Sequence, residues 1–340
     1  MKAAVLHAPN KILIEEVEKP KIGANDILVK VKGTAICGTD IDTFRGKYNV
    51  KYPAILGHEA SGEIAEVGRN VTAFQPSDRV LIDPIFSCGK CYLCLMGKKN
   101  LCINGGLLGR DIGNGSYAEY VSIPDHLAFK FSETLSYEEA TLIELLATVY
   151  HGQKRIRMFP GNSVAILGQG AAGLLHTKLA KLSGAIPVIT TDILDNRLDM
   201  SKKFGADITI NSRNKDLVKE IPGLTSSRGL DVVIDAAGVP YTLKQALEIV
   251  RPGGTILQFG VHTRPVDNIN LISLYFKEIE IVGTRACVSD DFDTSIKLVT
   301  RGIVDVKPLI SHVFPLQKLE ESFQLAEKSP DEVIKMVVKA

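Results

Sequence analysis

The sequence predicts an α/β fold in two parts. A doubly wound parallel-sheet domain occupies the middle of the chain, and a β-rich domain is built from the N-terminal part with the C-terminal tail. Three observations predict this. Between Gly161 and Gly283 short apolar runs alternate with helical stretches. Up to about Phe131 apolar and polar positions alternate instead, punctuated by glycine and proline. The length of 340 residues exceeds one simple core, so two domains are the default.

The elements follow in order. Ile12–Val17 and Ile27–Val31 alternate between turn residues at Pro9-Asn10, Pro20 and Gly23, which reads as short antiparallel strands. Gly62–Gly68 and Asp78–Ile82 continue the pattern. At Ser136 the period changes. Ser136-Tyr137-Glu138-Glu139 is a capping-box pattern, and Ala140 to His151 then reads as a helix containing Glu144. Ser163–Leu167 is continuously apolar, as a parallel strand covered on both faces requires. Pro187–Thr191, Asp231–Ile234, Gly254–Phe259 and Glu280–Val282 repeat the theme. After Gly283 a helix is expected near Asp291–Arg301, then strands at Ile310–Phe314 and Lys335–Lys339 around a helix near Leu316–Ala326. This tail is expected to pack back on the first domain.

Hydrophobic content of 45% and charged content of 23% are ordinary for a globular protein. A net charge of +1 points to neither nucleic acid nor an anionic membrane as partner. The N-terminus lacks the apolar stretch of a signal peptide, and no run approaches a membrane span, so a cytoplasmic location is expected. In that compartment six cysteines point to metal rather than disulfides.

Four of them form Cys88-x₂-Cys91-x₂-Cys94-x₇-Cys102. Four thiolates at this spacing can close a tetrahedral zinc site with no open position, which is structural. An iron–sulfur cluster follows a similar spacing logic, and unligated cysteines in a loop are the plain alternative. Cys37, His58, Glu59 and Glu144 offer a thiolate, an imidazole and carboxylates. That mix suits a second Zn²⁺ with a position left open for water or substrate. Singly each has a plain reading: a buried cysteine is a small hydrophobe, and a lone histidine is more often core or surface. The apolar neighbours Leu142, Ile143, Leu145 and Leu146 argue that Glu144 is buried.

Gly168-Gln169-Gly170-Ala171-Ala172-Gly173 follows an apolar strand and opens a helix running towards Leu182. That context makes it a phosphate-cradling dinucleotide loop. Asp192 ends the next strand, where a carboxylate accepts ribose hydroxyls and repels a 2′-phosphate. NAD⁺ is therefore expected over NADP⁺, with Arg197 a full turn further along; the plain reading of Asp192 is a turn residue.

Cys37-Gly38-Thr39-Asp40, Gly57-His58-Glu59, the four-cysteine loop, the Gly-rich loop and Lys307-Pro308-Leu309-Ile310 together resemble the zinc-dependent medium-chain dehydrogenases. The similar branch is that of the sorbitol (polyol) and threonine 3-dehydrogenases, and the resemblance spans essentially the whole chain. It implies a GroES-like catalytic domain at 1–150 with 286–340 and a Rossmann domain at 151–285. It implies two zincs per chain, catalytic and structural, with Cys37, His58 and Glu144 as catalytic ligands. Glu59 would be a ligand in some states and a neighbour of the metal in others. Thr39 matches the family's relay hydroxyl, a turn-capping threonine being the plain alternative. Thr148, Arg197 and Val261 join the glycines and Asp192 in the expected cofactor set.

The implied activity is hydride transfer from a secondary alcohol (a polyol, cyclitol or sugar) to NAD⁺, giving the ketone. L-Threonine 3-dehydrogenase is the nearest rival, and a simple-alcohol dehydrogenase is third. A homo-oligomer, preferably a tetramer, is implied as well. The chain departs from the branch at Leu145, where proline is common, and at Asp42, Thr43 and Arg285-Ala286, so the animal sorbitol pocket is not expected. A zinc-stapled nucleic-acid module is disfavoured by the near-neutral charge. A relative without catalytic metal should lack the ligand set that this chain retains.

Overall fold

A computed structural model describes residues 1–269 and 271–340. The chain forms two compact units, one of Met1–Ala147 with Val288–Ala340 and one of Thr148–Cys287.

The first unit is organised on the ten-residue strand Asp26–Ala35. One edge pairs antiparallel with Glu59–Val67. The other edge takes Tyr120–Pro124 along its first half and Lys335–Lys339 at its end. Arg79–Ile82 and Ala128–Lys130 extend the sheet on one side, and Ile310–Pro315 extends it on the other. Period-two alternation places Ile27, Val29 and Val31 in one core with Ile64, Val80, Ile82 and Val121. A second core joins Leu6, Phe44, Leu56, Tyr117, Phe323 and Val338, so the C-terminal segment supplies part of this unit's interior.

The second unit holds a six-stranded parallel sheet. Its order is Ile208–Asn211, Val188–Asp192, Val164–Leu167, Leu230–Asp235, Val250–Gln258 and Glu280–Gly283. Alternate residues of Val164–Leu167 face different cores: Val164 and Ile166 meet Val188, Val232 and Leu257, whereas Ala165 and Leu167 meet Ile189, Val233 and Ile256. Both faces are therefore covered, which is why these strands read as unbroken apolar runs.

The predicted α/β class and the run of parallel strands match this architecture. Ser136 and Glu139 do form a capping box: Ser136 N donates to Glu139 Oε2 at 2.8 Å, and Glu139 N donates to Ser136 Oγ at 3.2 Å. The helix they start runs Tyr137–Lys154, longer than the periodicity alone indicated. Several short elements escape the sequence reading, among them the helices Gly38–Phe44 and Leu217–Leu224 and the edge strand Ile208–Asn211. Four to eight residues give too few periods to register.

Asp231 ties together the starts of three parallel strands. Its Oδ2 accepts from Ser163 N and Oγ, both at 2.8 Å. Its Oδ1 accepts from Arg251 Nε at 2.7 Å and Arg228 Nη2 at 2.5 Å. Burial works against the charge, but Arg251, Ser163 and Arg228 overcome it and lower its pKa to about 2, from an ordinary 3.8. A depressed carboxylate stabilises the fold above its unfolded pKa and loses that contribution as pH falls through the folded value. Asp231→Asn should therefore lower stability at neutral pH, with the gap to wild type closing between 3.8 and about 2. Denaturant unfolding across that range checks it; a gap independent of pH would contradict the ionic account.

Candidate active site and metal centres

Strand register assembles the first cluster. Ala35 pairs with Glu59, so the residues just beyond one strand's end meet those just before the other's start. Cys37 and His58, far apart in sequence, are thereby neighbours. Gly57 makes the turn into His58 with φ +93°, and a Cβ there would sit 2.9 Å from Tyr117 N and Ser116 Oγ. A residue with a side chain would push His58 out of place.

Single donor atoms of Cys37, His58 and Glu59 lie within 4.8 Å of one another. Asp40 holds this cluster in shape. Its Oδ1 lies 3.2 Å from His58 Nδ1, and its Oδ2 accepts from Cys37 N at 3.2 Å and Tyr117 Oη at 2.9 Å. A proton on Nδ1 donates to Asp40 and leaves Nε2 with a free lone pair, the usual arrangement of a metal-binding histidine. Burial alone would lower the His58 pKa; Asp40 and then Cys37 outweigh it and hold it well above the usual imidazole range. Burial would likewise raise Asp40, but His58, Cys37 and Tyr117 keep it below the ordinary carboxylate value.

Glu59 is 1% exposed, and its Oε1 accepts from Lys335 Nζ at 2.7 Å. Its Oε2 is buried with no hydrogen-bond partner. A buried carboxylate oxygen without a donor is costly, and a cation beside it removes the cost. Thiolate, imidazole and carboxylate are also a donor set that zinc accepts. The residues fit the metal.

Glu144 is buried on the helix Tyr137–Lys154 but stands outside the 4.8 Å cluster. Burial first, and then the negative charge of Glu59, push its pKa up to about 7. The same helix carries half-buried Thr148 one turn later, in the second unit. Thr39 lies in the first turn of Gly38–Phe44, where its carbonyl accepts from Thr43 Oγ1 at 2.7 Å. Asp42 pairs with Lys47 at 2.7 Å, and Arg285 is exposed.

The second cluster is the four-cysteine loop. Donor sulfurs of Cys88, Cys91, Cys94 and Cys102 lie within 4.8 Å of one another, and none forms a disulfide. Cys91 starts the short helix Tyr92–Leu95, whose turn brings Cys94 beneath it, 3.4 Å between sulfurs. Backbone N–H groups of Lys90 and Cys91 pull the Cys88 pKa down to about 6, whereas burial pushes Cys94 up to about 11. Four converging sulfurs fit a closed zinc site.

In the second unit Val164–Leu167 leads into the Gly-rich loop, and Ala171–Leu182 follows with Gly170 as its N-cap. Gly168 has φ +90°, and a Cβ at Gly173 would lie 1.9 Å from the Gly168 carbonyl oxygen. A Cβ at Gly170 would meet nothing within 4 Å, so that side of the loop is open. The first N–H groups of the helix have no intrahelical acceptor, which suits a pyrophosphate. The loop also lies where the strand order reverses, between Val164–Leu167 and Leu230–Asp235, the usual position of a dinucleotide crevice. Asp192 Oδ2 accepts from Gln169 N at 2.7 Å and Oδ1 from Leu194 N at 3.0 Å, so the carboxylate is fixed beside the loop. Arg197 Nη1 is 3.9 Å from Asp192, and exposed Val261 follows Gly260, whose backbone packs against Gly238.

Three residues at the metal cluster carry no role in the sequence reading: Asp40, Tyr117 and Lys335. Asp40 had a signal, since an acid three residues after Cys37 in a short helix shares its face. Tyr117 and Lys335 had none, because strand pairing alone brings them in.

Residues 23–133 match the family model described as alcohol dehydrogenase GroES-like domain, and residues 171–301 match the model described as zinc-binding dehydrogenase. A sorbitol dehydrogenase of Bacillus subtilis (strain 168) is 36% identical over 99% of this chain and 97% of its own. An L-threonine 3-dehydrogenase of Pyrococcus horikoshii is 36% identical over 91% of this chain and 90% of its own. A crystal structure of a zinc-binding dehydrogenase from Sinorhizobium meliloti 1021 bound to NADP superposes with TM-score 0.94 at 32% identity, covering 100% of this chain and 99% of that one. The apolar strands, the glycine loop and the two ligand clusters thus agree with whole-length similarity, and the chain belongs to the zinc-binding dehydrogenase family.

Proposed function

We propose that the protein oxidises a secondary alcohol of the polyol, cyclitol or sugar class to its ketone, with hydride passing to NAD⁺. The observation that carries the chemistry is the buried Cys37–His58–Glu59 cluster with its partnerless Glu59 oxygen. The substrate class is supported by whole-length similarity to a sorbitol dehydrogenase. Bound zinc supplies a Lewis acid that lowers the pKa of a substrate hydroxyl, and bound NAD⁺ supplies the hydride acceptor.

The chain's own residues do the rest. Cys37, His58 and Glu59 hold the catalytic metal, with Glu144 as a fourth candidate donor. Asp40 fixes the His58 tautomer and ring orientation. Thr39 is assigned the relay that carries the alcohol proton towards solvent. Cys88, Cys91, Cys94 and Cys102 hold the structural zinc. The catalytic domain is assigned to 1–150 with 286–340, and the dinucleotide domain to 151–285. In the latter Gly168, Gly170 and Gly173 cradle the pyrophosphate, Asp192 receives the ribose hydroxyls, and Thr148, Arg197 and Val261 complete the cofactor set.

The deciding assay is NADH formation across a panel of polyols, cyclitols, sugars, L-threonine and simple alcohols. Chelator-sensitive turnover of one polyol class is expected. Turnover of L-threonine alone would transfer the protein to the reading that the Pyrococcus relative favours, with the zinc argument intact. Cys37→Ser should lose one zinc and on the order of a thousandfold in kcat/KM while keeping its fold. Full activity in that variant would remove Cys37 from the metal site.

With the preferred substrate, kcat/KM should favour NAD⁺ over NADP⁺ by tenfold or more, about 1.4 kcal/mol. Asp192→Ala should shrink that ratio, and a wild-type preference for NADP⁺ would refute the role of Asp192. A homotetramer working in the cytoplasm is the assembly that the family resemblance favours. Light scattering should give four times the 36.9 kDa chain mass, and a monomer would end that assignment.

A further inference from the structure

Lys335 opens the strand Lys335–Lys339, among the buried apolar residues Met336, Val337 and Val338. Its side chain is 7% exposed and donates to Glu59 Oε1 at 2.7 Å. Isolating an ammonium from water costs several kcal/mol, so a lysine here needs a reason beyond packing. Its charge also acts on Cys37 and Glu144. Glu59, which it touches, and then Cys37 and Glu144 favour its charged form.

The two Glu59 oxygens have different situations: Oε1 is held by Lys335, and Oε2 has no hydrogen-bond partner. We propose that Lys335 is a positioning residue for the metal centre, restricting Glu59 to a single oxygen for the cation and weakening that oxygen's hold. A substrate hydroxyl can then displace it. The geometry comes from strand order. Ala35 pairs with Glu59 on one side and Val337 on the other, and Lys335 lies two residues from Val337, on the same face. Without the lysine, Glu59 is free to close on the metal with both oxygens, and nothing repels the cation.

This inference rests on the zinc reading, so metal analysis comes first. If wild type holds no zinc that depends on Cys37, the zinc reading fails. If it does, zinc release to a chelator is timed for wild type and Lys335→Met. The variant should release its catalytic zinc roughly tenfold more slowly or slower still, in the range typical of changes beside metal ligands. Its kcat should fall. Its melting temperature should drop more in chelator-treated protein than in zinc-loaded protein, because only the metal then neutralises Glu59. Lys335→Arg should restore wild-type behaviour. Glu59→Gln combined with Lys335→Met should abolish the slowing, since the effect requires the carboxylate.

Lys335→Gln keeps a donor but not the charge, and serves if the methionine variant does not fold; it too should slow zinc release. Unchanged or faster release in a folded variant, or equal loss of melting temperature with and without zinc, would overturn the proposal. So would failure of both neutral variants to fold with zinc present, which would make the lysine's role purely structural.

Discussion

The pairing of Asp26–Ala35 with Glu59–Val67 is the constraint on which the metal cluster depends. Side chains on a strand change face with every residue, so a slip of one position would turn Glu59 away and separate His58 from Cys37. The buried alternation of Ile27, Val29 and Val31 holds the register, because a slip of one residue would turn all three away from that core. The same strand receives Lys335–Lys339 on its other edge, which carries a cation to the anionic cluster from nearly three hundred residues away. Core packing and metal chemistry are thus two consequences of one register.

The electrostatics at that cluster are those of a site organised for a cation. Asp40, Glu59 and Glu144 are all buried, and burial opposes ionisation of Asp40 and of Glu144. Asp40 meets that opposition with His58, Cys37 and Tyr117, and Glu59 accepts a hydrogen bond from Lys335. Glu144 is pushed up to about 7, by burial and by Glu59 beside it. A divalent ion relieves each of these tensions. The four-cysteine loop differs, since a short helix helps bring its sulfurs together and backbone N–H groups favour the thiolate of Cys88. That contrast fits two metal positions of different kinds, one of mixed donors and one of four sulfurs.

The second unit obeys a different rule. Its parallel strands are buried on both faces, and its chemistry lies at strand ends rather than within the sheet. Gly168 and Gly173 allow backbone to approach backbone, while Asp192 reaches back to the loop from the neighbouring strand. The rigid strand supplies position, and the glycine loop leads into a helix whose first N–H groups have no intrahelical acceptor.

The sequence by itself determined the fold class, because period-two alternation, unbroken apolar runs and helical stretches follow one another in a mutually consistent order. It also made the local motifs legible. Cys88 to Cys102 and Gly168 to Gly173 are contiguous, and their spacing carries their geometry. Cys37, His58 and Glu59 were legible as ligand types in motifs, yet their meeting is a matter of register. Only the tertiary structure set Glu144 apart from the closer trio, and only it revealed Asp40, Tyr117 and Lys335 as the groups that hold the cluster. The physical reason is range. Helical and loop periodicities act over a few residues, whereas a buried ion pair between Glu59 and Lys335 exists only after strands distant in sequence have been placed edge to edge.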